Sequence, residues 1–548
     1  MILLPLRLIQ KDMQTKKNIF FTPTVKTKIT LGLCCVICGA SLNAQQTKLD
    51  SISLDPIEKS FRIAHPEVNF LNPLEFTETN VFFEHNKLRF SRVQTPEESN
   101  QIGFGSIGVF QLNPKLVLSG ELKVVSENEK QVSFILTDER TTNQNFISNP
   151  SYFYAPRKSN WLKQHYDVNG NIAYKPWKGL LLGAEVNGSF LKAYGNRDPR
   201  PEIGNIDYNI DARLGYQLGQ HTVSLKGGYF NRKKESSIAY AYTEHNAPNY
   251  YETYIRFNRG YGNFYYNSGY SDNWYQYDGI GLGAEYMFQS PSHFLVAGFR
   301  NEEYIDRMTR FYTYQIRDEN NVLRTIRDRL KISGLKTQKH QTYIKYLGNF
   351  GDWKWNSDFN LLYQVDLNYD YQNLYTSYKA WNQQINWRNA VSKYNDKNEL
   401  LRVSLHVDYS RQSIKDLSVI MHKKLQSFQY HLAALKEFKL KNSQKLALEV
   451  QQGLYLPLDS KMHYLPYQSS IENIFVKNIA MPDYFYDSSI RMNIGAQLKY
   501  MMDHKNVRYE VYATGKQWFF VENVNGKDKG DLDTGASQYV ALGLNFYY

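Results

Sequence analysis

In the stretch LRVSLHVDYS, residues 401–410, a serine, a histidine and an aspartate stand at Ser404, His406 and Asp408. These are the parts of a nucleophilic hydrolase, in which a carboxylate orients an imidazole that takes the serine proton. Their spacing argues against that reading. Alternate residues of a strand share one face, so successive members of the row stand about 7 Å apart. Activation of a serine needs contact at about 2.6–3.2 Å, and the expected role is a polar ladder. Cysteine occurs only at Cys34, Cys35 and Cys38, so the chain beyond them offers no thiolate nucleophile and no thiolate metal site. Histidine spacing supports no metal site, and no cofactor is expected.

Two other groups of residues carry chemistry. Ala239 to Tyr277 is dense in tyrosine and asparagine. Within it Tyr250, Tyr251, Tyr254, Arg256, Tyr261, Tyr265 and Tyr266 offer rings that stack on sugars or lipid head groups. The plainer reading, a girdle at the membrane interface, suits Trp274, Tyr275 and Tyr277. The second group is charged and alternates with apolar neighbours: Glu185, Asp207, Asp211, Arg213, Asp358, Asp366, Arg402, His406, Asp408, Arg491 and Lys499. Mixed in sign, these residues indicate no strong ion selectivity. They either fill an interior or line a conducting one.

The elements that must position them are long strands. In NIDYNIDARLGYQLGQHTVSLKGGYF, residues 205–230, Ile206, Tyr208, Ile210, Ala212, Leu214, Tyr216 and Leu218 share one parity, and Asp207, Asp211 and Arg213 the other. The same period of two recurs in GLLLGAEVNGSF, LRVSLHVDYS and SIRMNIGAQLKY. The segments far exceed the 5–6 residues or so usual in soluble proteins. Short turns at 113–115, 176–179, 218–220, 290–292, 348–352, 441–444 and 503–506 alternate with long polar stretches at 129–163, 234–273, 306–336 and 457–486. This pattern predicts an all-β, antiparallel up-and-down transmembrane barrel with short periplasmic turns and long extracellular loops. About 18 strands are expected, or 14 to 16 if the weak segments at 79–92, 293–305 and 372–388 fail to form. Apolar parity then meets lipid and polar parity lines the lumen, with every backbone group paired around a sheet that has no edge. No helical periodicity of useful length is evident.

The amino end reads as a leader. Lysines precede the apolar run ITLGLCCVICGA, residues 29–40, and Ala44 offers a cleavage point. The expected organisation is a signal peptide over 1–44, a periplasmic segment or small hatch over 45–76, and the barrel over 77–548. The formal charge of +12 falls once the basic leader is removed, which takes away the main argument for a nucleic-acid partner. A mean hydropathy of −0.56 is at odds with helical membrane spans of about 20 apolar residues.

The leader ending LNAQQ, the Tyr/Asn/Lys-rich strands and the final ALGLNFYY resemble the outer-membrane β-barrel proteins of the Bacteroidota, within an uncharacterised family. The last strand, residues 537–548, resembles the signal read by the barrel assembly machinery. The resemblance implies residence in outer-membrane lipid and, with it, a non-enzymatic pore or binding and translocation channel for a small solute, beside a lipoprotein or receptor partner. Two alternatives stay open: a non-conducting barrel serving interaction or secretion, and a barrel-embedded lipid hydrolase. The segment 45–76 is too small for the folded plug of energised receptors, and the NPA-type motif of fatty-acid transporters is missing.

Overall fold

The computed structural model describes residues 55–548 except 138–151, 156, 241–253, 258–263, 268–270, 318, 320, 372–373, 396–397, 418–419, 442–443, 466–475, 505–506 and 526–531. The leader and its cleavage point therefore lie outside the described residues.

The alternation at 205–230 becomes the antiparallel pair Arg200–Leu218 and His221–Ala239. They are joined by the two-residue turn Gly219–Gln220, with Gly219 at φ +61°. A glycine at the first position of such a turn adopts positive φ without a Cβ clash. Repeated hairpins of this kind build one 18-stranded antiparallel sheet. It closes where Phe76–Lys87 pairs with Glu98–Asn113 on one side and with Ser537–Tyr547 on the other. No strand of the wall is left with an open edge, which is what permits β-structure in hydrocarbon.

The two faces separate as the parity requires. Leu214 is 56% exposed and Leu218 72% on the outer face, whereas Asp211 on the inner face is 3% exposed. Trp177, Tyr216, Trp353 and Trp355 stand exposed toward the short-turn end, as a lower aromatic girdle would.

The three weak segments all form wall strands: Phe76–Lys87, His293–Arg317 and Tyr375–Asn395. One expectation is corrected. Residues 306–336 are not a long loop but the upper half of a hairpin, His293–Arg317 with Leu323–Phe350, whose strands have 25 and 28 residues. Only about 9–11 residues are needed to cross the hydrocarbon, so this pair stands well beyond the bilayer. Arg327 and Arg329 hold the extension together, lying 4.0 and 5.0 Å from the Phe311 ring, with Arg329 also 4.9 Å from Trp274.

Among the described residues two short α-helices form where no helical periodicity of useful length was evident. Helix α1, Pro56–Ala64, carries a start signal that was present in the sequence: Asp55 caps the N–H groups of Ile57 and Glu58 at 2.7 and 3.1 Å, and Pro56 opens the first turn. A 3-10 turn, Pro66–Phe70, follows it. Helix α2, Met481–Asp487, interrupts the connection before the strand Ser489–His504.

Candidate functional site

Residues 55–70 are gripped by strands from much of the circumference, which places them inside the barrel near the short turns. Lys59 pairs with Glu78, Asn356 donates to Asp55, and Lys354 stands 3.7 Å from Glu58. Ser119 donates to the Ile63 carbonyl at 2.7 Å and Gln289 to the Val68 carbonyl at 2.8 Å. Apolar side chains fill the remaining contacts. Phe61 and Val68 pack with Met287, Phe294, Val296 and Leu347, and Ile63 packs with Phe76, Val109 and Val117.

The tightest point is ionic. Arg213 bonds Glu67 and reaches Glu285 at 3.2 Å, and Glu285 also accepts from Tyr343 and stands 3.0 Å from Lys226. All four charged side chains are buried or nearly so. His65, Glu67 and Glu285 lie close enough to offer ligand atoms to a metal ion. The electrostatics favour a latch instead: two carboxylates already face two cations, and a divalent ion would meet the repulsion of both.

Further from the short turns, the inner wall opens into a cavity of about 340 Å³ lined by Glu121, Lys123, Asp167, Asn169, Asn187, Ser189, Asp207 and Asn209. These residues come from four neighbouring strands, Leu116–Val132, Ser159–Tyr174, Leu180–Gly195 and Arg200–Leu218. Ser189 donates to Asp167 at 2.7 Å, Asn169 bonds Asn187, and Asn187 donates to Glu185 at 2.8 Å. Three carboxylates against one amine make the lining acidic. Its chemistry suits a solute rich in hydroxyl, ammonium or guanidinium donors.

At the long-loop end α2 folds inward. Asp487 accepts from Arg92 at 2.7 and 2.9 Å and from Lys423 at 2.5 Å, and Asp483 accepts from the Val93 N–H at 2.9 Å. Phe90, Phe485, Tyr486 and Phe520 pack together, and the Arg491 guanidinium lies 3.8 Å from the Tyr455 ring and 3.7 Å from that of Tyr486.

The two aspartates titrate oppositely. Burial pushes Asp483 up to about 6 from 3.8, although Arg92 pulls the other way. Burial would also raise Asp487, but Arg92 and Lys423 outweigh it and hold it at about 2. The Asp483 contribution is fully present below 3.8 and is lost as pH rises through about 6. The Asp487 contribution is present above 3.8 and is lost as pH falls through about 2. The α2 closure should therefore be tightest near pH 4 and looser at pH 7. Hydrogen-exchange protection of residues 481–488, corrected for intrinsic exchange, checks this, and Asp483→Asn should flatten the upper limb.

The charged residues expected on the inner face are spread around the wall rather than gathered at one centre. Asp207 lines the cavity, Glu185 holds Asn187, and Asp211 takes Arg300 at 2.7 Å. Asp358 pairs with Arg388 at 2.6 Å, and Asp366 accepts from Thr337 at 2.5 Å. Arg402 bridges Glu399 and Glu449 at 3.4 and 3.1 Å, and Lys499 stands 3.6 Å from Glu510.

The ladder at 404–408 is closer-knit than its spacing implied. His406 Nε2 lies 3.1 Å from Asp408 because the side chains lean along the strand, and its ring packs near that of His431. No hydrogen bond joins Ser404 to His406 among the described residues, so no activated nucleophile is assembled there.

Of the aromatic capture residues, Tyr250, Tyr251 and Tyr261 lie outside the described residues. Tyr254, Arg256, Tyr265 and Tyr266 fall in a small antiparallel sheet, with Tyr265 opposite Arg256 and Phe153 on the far side of Arg256. The functional residues that sequence reading missed are those of the inner segment and the mouth. Asp55-Pro56 with Glu58 was a legible helix start; nothing local marked Glu67, Arg92 or Asp487, whose partners are distant in sequence.

The closed sheet, with short turns at one end and long connections at the other, defines an outer-membrane β-barrel. The chain belongs to the family of unknown function DUF6850, which matches residues 68–548. No curated protein matches it in sequence. Among solved structures it is similar to the ferric preacinetobactin receptor BauA from Acinetobacter baumannii, at 11% identity over 86% of this chain and 80% of that one, with a TM-score of 0.40. It is also similar to the ferripyoverdine receptor of Pseudomonas aeruginosa, at 12% identity over 86% and 72% with a TM-score of 0.38. The RagAB peptide transporter matches at 9% identity over 86% and 74% with a TM-score of 0.39.

Proposed function

We propose that this protein binds a small polar solute in its lumen and passes it across the outer membrane when residues 55–75 move aside as a hatch. The observation that carries this reading is the acidic cavity of about 340 Å³, at the low end of the roughly 300–1,000 Å³ of small-molecule sites. Two of the strands that line it also grip, through Ser119 and Arg213, a segment held by ion pairs and a modest apolar contact, an attachment that can be released without touching the wall. The orientation follows from the connections, with the hatch facing the periplasm. Export behind a leader cleaved near Ala44, and insertion through the assembly machinery reading strand 537–548, belong to the same proposal. No catalytic step is assigned.

Planar-bilayer recordings test it. The full chain should be nearly silent, and a variant lacking residues 45–75 should show large, stable steps. A deletion variant that folds, judged by heat-modifiable migration on unboiled gels, yet stays silent would sink the pore. Asp167→Asn with Asp207→Asn should weaken block of the opened pore by a polyamine about tenfold or more, since each lost charge-assisted bond removes about 1.5–3 kcal/mol.

A second reading, a barrel that docks a lipoprotein or receptor, is favoured by the hairpin projecting at 306–336. Shortening that hairpin should abolish co-purification of a partner while leaving conductance unchanged.

A further inference from the structure

On the outer face of the wall, four adjacent strands bring lysines and histidines into register. Lys379 stands opposite Lys415, Lys415 opposite His422, and His422 opposite His463. In the next row toward the membrane Trp381 faces Ser413, Ser413 faces Lys424, and Lys424 faces Lys461. The opposite face is settled by packing: Tyr378, Ala380, Ile414 and Met421, which alternate with these residues, form a buried inner cluster. Lys379, Lys415 and Lys424 are exposed, and none has an acidic partner among the described residues. Among the described residues, Asp459 is taken by Lys461 at 3.3 Å.

Like charges directly across a ladder destabilise a sheet, and elsewhere this outer surface avoids them. Glu303 pairs with Lys336 at 2.7 Å, and Arg307 with Asp278 at 3.1 Å. Lys379 directly opposite Lys415, with Lys424 one row below, leaves a repulsion that an external anion would offset.

The position says which anion. Toward the short turns, the same strands present an apolar outer surface, with Trp387, Val391, Val403 and Leu432 each at least 40% exposed. Trp381 marks the boundary, with the Arg411 guanidinium 5.3 Å from its ring. Aromatic rings of this kind sit at head-group level, so the cations begin where lipid head groups lie. Four strands at about 4.8 Å spacing make the row about 14 Å wide, the scale of one glycolipid head group rather than of a protein interface.

We infer that Lys379, Lys415 and Lys424 form a binding site for the phosphate groups of an outer-leaflet glycolipid. The site is independent of what the lumen carries. Lysine suits it, as a flexible point charge that meets phosphate without demanding one geometry.

The test uses the full chain in phosphatidylcholine nanodiscs with diphosphorylated lipid A, or the same lipid stripped of phosphate, with retention read by native mass spectrometry. The intact protein should retain the phosphorylated lipid and not the stripped one, and retention should weaken with salt. Lys379→Gln, Lys415→Gln and Lys424→Gln together should lower affinity on the order of 100-fold, since each basic group near an anionic surface contributes about fivefold. The three Lys→Arg replacements should keep binding, which separates charge loss from misfolding. A control at the opposite end, Lys436→Gln with Lys439→Gln, should change nothing. Equal retention of both lipids, or undiminished binding by the triple Gln variant, overturns the site. Displacement of the lipid by inorganic phosphate alone overturns its assignment to a glycolipid.

Discussion

Replacing Arg213 with methionine should turn a nearly silent barrel into a conducting one. Methionine keeps much of the side-chain length and removes the charge. Glu67 and Glu285, 5% and 4% exposed, would then be left in the interior, and of its partners among the described residues Glu67 would keep His65 at 3.5 Å. Removing one partner of a buried pair costs about 3–5 kcal/mol, because the other charge stays desolvated. The apolar contacts opposing undocking come chiefly from Phe61, Ile63 and Val68, each contributing about 1.5–3 kcal/mol before the entropy of ordering the segment is subtracted. The loss is comparable to that margin, so open time should rise by roughly 10²–10³-fold, at tenfold per 1.4 kcal/mol. Glu67→Gln should be milder, since Arg213 keeps Glu285. The wall's ladder is untouched, and heat-modifiable migration should persist. Recordings of Arg213→Met as quiet as those of the intact chain would remove the latch from the mechanism.

The wall was legible because each strand carries its own instructions. Parity at 205–230 fixes which side chains face out, and Gly219 fixes where the chain reverses. No distant residue is needed for either. The hairpin at 293–350 was misjudged at its upper end because charged residues crowd 323–331, where Leu323, Ile326 and Leu330 stand three and four apart and the period of two is lost. Its order comes from cross-strand stacking such as Arg327 on Phe311, which depends on pairing rather than on either sequence alone. The inner segment was legible as a helix start at Asp55-Pro56, but its docking was not. Glu67 meets Arg213 across 146 residues, and Arg92 meets Asp487 across 395. Such pairs exist only once the barrel has closed. The same holds for the lumen cavity, whose eight polar lining residues follow the parity rule yet form a recess only through strand register.

Replacing Arg92 with leucine should release the mouth as Arg213→Met releases the hatch. Helix α2 has seven residues, far below the roughly 12–15 that hold a helix unaided, so its order is borrowed from contacts. Asp487, 1% exposed, accepts both guanidinium bonds from Arg92, and among the described residues leucine would leave its carboxylate with Lys423. The cost again falls near 3–5 kcal/mol. Exchange protection over 481–488 should drop by about 10²–10³-fold, while that of the strands Gln444–Leu465 and Ser489–His504 stays unchanged. Protection equal to that of the intact chain would show that the aromatic cluster around Phe90 suffices without the ion pair. The two substitutions also decide how the barrel works, because Arg92 pairs with Asp487 whereas Arg213 pairs with Glu67 and Glu285. Independent closures should give effects on conductance that add within about 0.3–0.5 kcal/mol. A larger departure in the double variant would mean that the two closures are coupled through the barrel.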